Sequence, residues 1–135
     1  MRVAATLALL LPCGGALATE TVDCQSSGTT EALVEMNFSD SLPIDRPNWV
    51  RLSAGAEKWS TRGDGAADGF KAATILQSFD DGTLLSVDVS DDQQSRIVAS
   101  IRILSVHEQE HYVRVGTLQI HGQSVHTLNC NYGDE

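Results

Sequence analysis

Apolar and polar residues alternate along most of the chain in short runs, and turn-forming residues separate these runs. Clear examples are the segments 32–38, 96–104 and 112–120. Alternation with a period of two places successive side chains on opposite faces of a β-strand. The pattern therefore predicts an all-β fold, and seven or eight antiparallel strands at this spacing predict a small sandwich or barrel.

The segment 70–79 is compatible with either a helix or a strand. Asp68 could cap a helix, since apolar residues also recur at helical spacing after it. A strand is preferred, because the segment runs into an acidic pair and Gly82 before the next apolar run begins. A glycine can supply the positive φ of a short hairpin turn. We therefore predict a hairpin centred near Gly82.

The last two apolar runs of the chain predict a hairpin that turns at Gly122 and Gln123. If this turn has two residues, Ile120 lies opposite Val125. His121 and the nearby His126 then project from the same face of the sheet. Two imidazoles in that position could hold one transition-metal ion, or they could simply border the core.

The first 18 residues have the order of a secretory signal. Arg2 precedes a short apolar run, and a small-x-small cleavage site follows at 16–18. Pro12 interrupts the run before it reaches the roughly 20 apolar residues of a membrane span. We predict a signal peptide at 1–18, a single β-domain at 19–135, and export to a periplasm or to the extracellular space. Lipidation at Cys13 is an alternative, although Pro12 is not the small residue that usually precedes a lipidated cysteine.

Two cysteines, Cys24 and Cys130, remain in the predicted domain. An isolated pair in an oxidising compartment is expected to form a disulfide. No Cys-x-x-Cys redox motif is present, so the expected bond is structural.

The composition is acidic, with nine basic and 18 acidic residues and a net charge of −9. Removal of residues 1–18 would take away one of the nine basic residues and leave the 18 acidic ones, a net charge of −10. Such a surface repels nucleic-acid backbones, whereas it is compatible with a basic partner. The remaining 117 residues suffice for one core without a stabilising metal, and they contain no transmembrane segment.

Residues 107–111 spell His-Glu-Gln-Glu-His. On a helix, His107 and His111 would share a face and bind zinc, and Glu108 would activate the bound water. The flanking runs favour strands, so we expect no cofactor and retain a zinc-dependent hydrolase as the alternative. The candidate metal ligands are His107, His111, His121 and His126.

Trp59 is the candidate partner-binding residue. It lies in the otherwise polar segment 57–62, whereas core packing is the default role for the other tryptophan, Trp49. An aromatic side chain in a polar segment is a common anchor for a protein partner.

A cysteine near each end of the domain and the segment Ser53-Ala54-Gly55-Ala56 resemble the small periplasmic inhibitors of lysozyme. The resemblance implies a β-barrel that inserts a loop into an enzyme cleft, and the acidic charge would suit a basic lysozyme. It covers only these residues, and the tyrosine that follows the loop motif in those inhibitors is not reproduced. With no catalytic residues favoured, we expect a non-enzymatic binding, inhibitory or envelope-structural domain whose partner or small ligand is unknown.

Overall fold

A computed structural model describes residues 19–27, 31–39 and 46–134. The predicted signal peptide and Cys13 lie outside the described residues. Within the described ones, no helix has the length and apolar character needed to span a bilayer. These residues form a short 3₁₀ helix (Gly65–Asp68) and nine strands, which are β1 (Thr19–Ser26), β2 (Ala32–Ser39), β3 (Trp49–Ala54), β4 (Glu57–Ser60), β5 (Lys71–Asp80), β6 (Leu84–Asp91), β7 (Ile97–Glu108), β8 (His111–Ile120) and β9 (Ser124–Asp134).

The strands form one closed barrel in chain order, and β9 pairs with β1 to complete it. The predicted all-β fold is confirmed, with nine strands in the described part of the chain rather than seven or eight. One strand that the sequence pattern did not reveal is β4, which has only four residues and lies in the polar segment around Trp59.

Alternating side chains fill the inside of the barrel. In β2 every second residue is buried and Leu33 and Glu35 between them are exposed, as expected for a strand with one face on the core. Full burial of one such aliphatic side chain stabilises the fold by roughly 1.5–3 kcal/mol. The largest fully buried side chains are Met36, Leu52, Ile101, Ile103, Leu118 and Leu128.

Neighbouring strands of the described barrel are antiparallel except for β4 and β5, which run parallel. Strand directions cannot alternate all the way around a closed ring of nine, so at least one neighbouring pair must be parallel. The segment 61–70, which contains the 3₁₀ helix, returns the chain to the end of the barrel where β4 began.

The two ends of the barrel differ. We call the end where β4, β5, β7 and β9 begin the mouth. The opposite end carries the β5–β6 and β7–β8 hairpins, and there Glu20 pairs with Asp134 as β1 begins and β9 ends.

The predicted disulfide is confirmed. Cys24 of β1 and Cys130 of β9 lie directly opposite each other and are bonded across 106 residues of sequence. Both side chains are buried in the core. The bond therefore reinforces the seam at which the last strand closes the barrel onto the first.

The segment 70–79 is a strand, as predicted, and it turns into β6 at Gly82, which has a φ of 87°. Asp81 stabilises this turn, because its Oδ1 accepts hydrogen bonds from the backbone N–H groups of Thr83 (2.9 Å) and Leu84 (2.8 Å).

Candidate binding site at the barrel mouth

The His-Glu-x-x-His motif occupies a hairpin turn. β7 ends at Glu108 and β8 begins at His111, and these two residues face each other. His107 faces Tyr112 one position earlier, so His107 and His111 lie on opposite faces of the hairpin. A zinc-protease site requires both imidazoles on one face of a helix, and this turn does not provide that arrangement.

The final hairpin differs by one residue from the predicted pairing. Ile120 lies opposite Ser124 rather than Val125, because the turn contains the three residues 121–123. Gly122 in this turn has a φ of 76°. A shift of one residue moves every side chain of a strand to the other face. The pairing expected for a two-residue turn is therefore wrong, and His126 lies opposite Leu118 on the inner face.

The shift separates the two histidines that were expected to share a face. His126 is half-buried on the inner side of the barrel, and its Nε2 lies 2.9 Å from Ser124 Oγ. His121 lies in the turn, and its Nε2 is 2.9 Å from the Oγ of Ser100 on the outer side. Within the described ranges, no group of three or more His, Cys, Asp or Glu side chains could hold a metal ion.

A cavity of about 220 Å³ lies at the mouth of the barrel. It brings together the beginnings of β4, β5 and β7 with the turn between β8 and β9. Its lining combines charged, polar and apolar side chains, namely Glu57, Trp59, Lys71, Arg96, Ile97, Val98, Ile120, His121 and Gln123.

Trp59 forms the inner wall of this cavity. Glu57 and Trp59 face inward because they alternate with outward-facing Lys58 in β4. The Trp59 side chain belongs to the hydrophobic core and is only 8% exposed, and its Nε1–H donates a hydrogen bond to Glu57 Oε2 at 3.1 Å. The ring predicted to face a partner is therefore accessible chiefly through the cavity.

Lys71 completes a compact group with these two residues. The parallel pairing of β4 with β5 places Lys71 beside Trp59. Lys71 Nζ lies 5.0 Å from the centre of the Trp59 ring and 3.0 Å from Glu57 Oε2. The hydrogen bond from Lys71 lowers the pKa of Glu57 below its ordinary value, against the opposing effect of burial. Hydrogen bonds from Gln123 and Trp59 lower it further, so Glu57 is ionised at neutral pH.

Each of the two cations at the cavity lies beside a carboxylate. Arg96 has a largely exposed side chain whose Nε lies 3.9 Å from Asp91 Oδ2, and its guanidinium borders the cavity together with Lys71. Glu57 is the single acidic residue among those that line the described cavity. The cavity lining thus contains two cations and one anion, and the second cation, Arg96, lies beside the carboxylate of Asp91.

A second polar group lies on the outer face of the barrel next to this cavity. Asp88 is 3% exposed, and its Oδ1 lies 2.8 Å from Arg102 Nη1. Gln77 and Ser100 also donate hydrogen bonds to this carboxylate. Burial opposes the ionisation of Asp88, but these three hydrogen bonds outweigh it and lower its pKa.

Ser100 connects this group to the mouth through His121. The set contains the residue types of a Ser-His-Asp triad, but here the carboxylate of Asp88 binds the serine rather than the histidine. A catalytic carboxylate would instead orient the imidazole. The network holds the turn that carries His121 against the sheet.

The fold and this mouth define a class of structure, a disulfide-closed nine-stranded β-barrel with a charged cavity at one end. No protein-family model, curated protein or solved structure matches the chain. The segment 53–56, which carries the resemblance to lysozyme inhibitors, forms the end of β3 and the turn before β4, where Gly55 has a φ of 59°.

Proposed function

We propose that this protein is an exported, non-enzymatic binding protein that takes up a small anionic molecule at the barrel mouth. The observation that carries the proposal is the inward-facing Glu57–Lys71 ion pair against the buried ring of Trp59. The side chain of Lys71 is 54% exposed and that of Glu57 is 21% exposed, so the pair lies at the rim of the barrel, where a ligand from solvent can reach it.

The cations at the mouth have hydrogen-bonding capacity to spare. A lysine ammonium has three N–H donors and an arginine guanidinium has five. Lys71 can therefore bind Glu57 and a ligand oxygen together, and Arg96 can do the same beside Asp91. A carboxylate or a phosphate supplies the acceptor oxygens that such donors recognise.

The size and lining of the cavity restrict the ligand further. Pockets for drug-sized ligands have volumes of about 300–1,000 Å³, so a cavity of about 220 Å³ suits a smaller molecule. Ile97, Val98 and Ile120 border the cavity, but most of the surface that it exposes is polar. The ligand class that fits best is a small carboxylate or phosphate.

The disulfide supports the location. A buried bond between Cys24 and Cys130 is consistent with an oxidising compartment, as expected for an exported protein. The acidic surface outside the mouth argues against a nucleic-acid partner.

The test uses the two indole N–H signals in a ¹H–¹⁵N spectrum of the oxidised protein, one from Trp49 and one from Trp59. Benzoate is the anionic probe, and benzamide is its neutral control of the same shape. We expect benzoate to shift the Trp59 signal saturably, benzamide to leave it in place, and the Trp49 signal to stay unchanged.

Lys71→Met should weaken the response to benzoate, whereas Lys58→Met, a change on the outer face of the same barrel wall, should not. Inorganic phosphate is a second anionic probe, and it should also shift the Trp59 signal saturably. The proposal fails if neither anion shifts the Trp59 signal, or if benzamide shifts it as strongly as benzoate.

A further inference from the structure

The β7–β8 hairpin extends past its neighbour β6 and separates from β9 before its tip. Pairing of β7 with β6 stops at Leu104, and pairing of β8 with β9 reaches only to Val115. Past these residues the two strands pair with each other among the described strands, as far as the turn at 109–110. The outer side of this extension carries four apolar side chains that are 39–53% exposed, and we call it the ribbon face: Leu104, Val106, Val113 and Val115.

These four side chains are neighbours. Leu104 lies opposite Val115 and Val106 opposite Val113 in the antiparallel register, so they form two adjacent cross-strand pairs. An exposed cluster of this kind on a sheet surface is typical of an interaction site, whereas single exposed apolar residues are not.

The inner side of the same extension is polar. Arg114 donates a hydrogen bond from Nε to Ser105 Oγ at 3.0 Å, and its Nη1 lies 3.7 Å from Glu20 Oε1 on β1. The face of the hairpin toward the barrel is thus polar, and the face toward solvent is apolar. This is the reverse of the usual arrangement of a sheet with one face in solvent.

The charges beside the ribbon face make it complementary to a second copy of itself. Along β7 the outward positions are Arg102, Leu104, Val106 and Glu108, a cation, two apolar residues and an anion. A two-fold axis perpendicular to the strands, between positions 104 and 106, would place Arg102 of each copy against Glu108 of the other. A two-fold interface requires this reciprocity, in which residue i meets j and j meets i.

From this pattern we propose that the protein forms a two-fold dimer through the ribbon face. Two such faces pack as sheets in a sandwich do, with their strands nearly aligned. Arg102 keeps a 40% exposed side chain while it binds Asp88, so it has donors free for a second carboxylate. The net charge of −9 makes copies repel each other elsewhere, and the ribbon face, with one cation and one anion, is balanced.

The test is sedimentation velocity of the oxidised protein from micromolar to near-millimolar concentration. We expect a concentration-dependent monomer–dimer equilibrium. Val106→Glu should weaken association by at least about tenfold, since it buries an unpaired charge in the interface. Val125→Glu is the matched control, because Val125 is 66% exposed on β9 outside the ribbon face, and it should leave the dimer intact.

The charge pair has its own matched variants. Glu108→Arg sets two arginines against each other and should weaken the dimer at low salt, whereas Glu110→Arg makes the same charge change in the turn and should have little effect. Circular dichroism and the thermal midpoint show that each variant is folded. The proposal is overturned if the protein is monomeric throughout, or if folded Val106→Glu and Glu108→Arg dimerise as well as their controls.

Discussion

Lys71 Nζ lies 3.0 Å from Glu57 Oε2 across the parallel step between β4 and β5, and this contact links the topology of the barrel to the charge of its mouth. The parallel register pairs Lys71 with Trp59, so the lysine reaches inward beside the ring. The parallel pair of β4 and β5 and the candidate binding site therefore lie at the same place in the barrel.

Lys71→Met removes the largest of the effects that lower the pKa of Glu57. We expect the pKa of Glu57 to rise toward its ordinary value. The measurement is a pH titration of the Trp59 indole N–H signal, which reports on Glu57 because the indole donates to it. Lys58→Met, which removes a lysine that faces outward, is the control. An unchanged titration midpoint in Lys71→Met would show that the ion pair does not control Glu57.

Asp88→Asn should lower the free energy of unfolding at neutral pH by about 2 kcal/mol, because it removes a buried charged acceptor from Arg102, Gln77 and Ser100. Urea denaturation of the variant and the wild type measures this loss. Asp92→Asn, in the exposed β6–β7 turn, is the control and should be nearly neutral.

The effect of Asp88 depends on pH in a definite direction. Its pKa is lowered in the folded state, so its carboxylate stabilises the fold above the unfolded-state pKa of about 3.9. That contribution is lost as the pH falls through the folded-state pKa. The difference between wild type and Asp88→Asn should therefore shrink in acid, and a difference that is constant with pH would contradict this account.

Gly116→Ala should destabilise the protein by about 1–3 kcal/mol. A Cβ at position 116 would lie 2.2 Å from the backbone oxygen of Arg102, and backbone cannot move aside as the end of a flexible side chain can. Thermal and chemical denaturation measure the effect. Gly63→Ala is the matched control, since a Cβ there meets nothing within 4 Å. Equal stability of the two variants would mean that β8 can shift away from β7 at low cost.

Replacing both Cys24 and Cys130 with Ser should lower the free energy of unfolding by about 2–4 kcal/mol, because the bond closes a loop across 106 residues of sequence. Chemical denaturation of the double variant and of the reduced wild type should give similar losses. If reduction has no effect on the wild type while the variant is destabilised, packing of the sulfur atoms rather than the crosslink is responsible.

Much of the fold could be predicted from local pattern. Alternation in β2 and in β7 gives the strands, and the isolated pair Cys24 and Cys130 gives the disulfide, because both depend on residue spacing and residue type alone. Gly82 marks its turn for the same reason, since few other residues adopt a positive φ at little cost.

The register of the last hairpin could not be obtained in this way. Gly122 marks the turn in either register, and the choice between two and three turn residues depends on which side chains of β9 fit the core. The sequence therefore predicts the hairpin but not the pairing that separates His126 from His121.

The group of charged residues at the mouth could not be predicted from the sequence, for a different reason. Glu57, Lys71 and Arg96 are ordinary charged residues in polar surroundings, and they meet only because the barrel closes with one parallel step. The spacing of these three residues along the chain does not indicate that they lie close together. Trp59 and His121 are the residues of the cavity lining that their types mark as candidates in the sequence, and Trp59 contributes to the site through its burial rather than its exposure.

β1 begins and β9 ends at the end of the barrel away from the mouth, where Glu20 pairs with Asp134. A surface or a fused protein attached beside the start of β1 or the end of β9 would therefore lie away from the mouth and leave the cavity open to solvent.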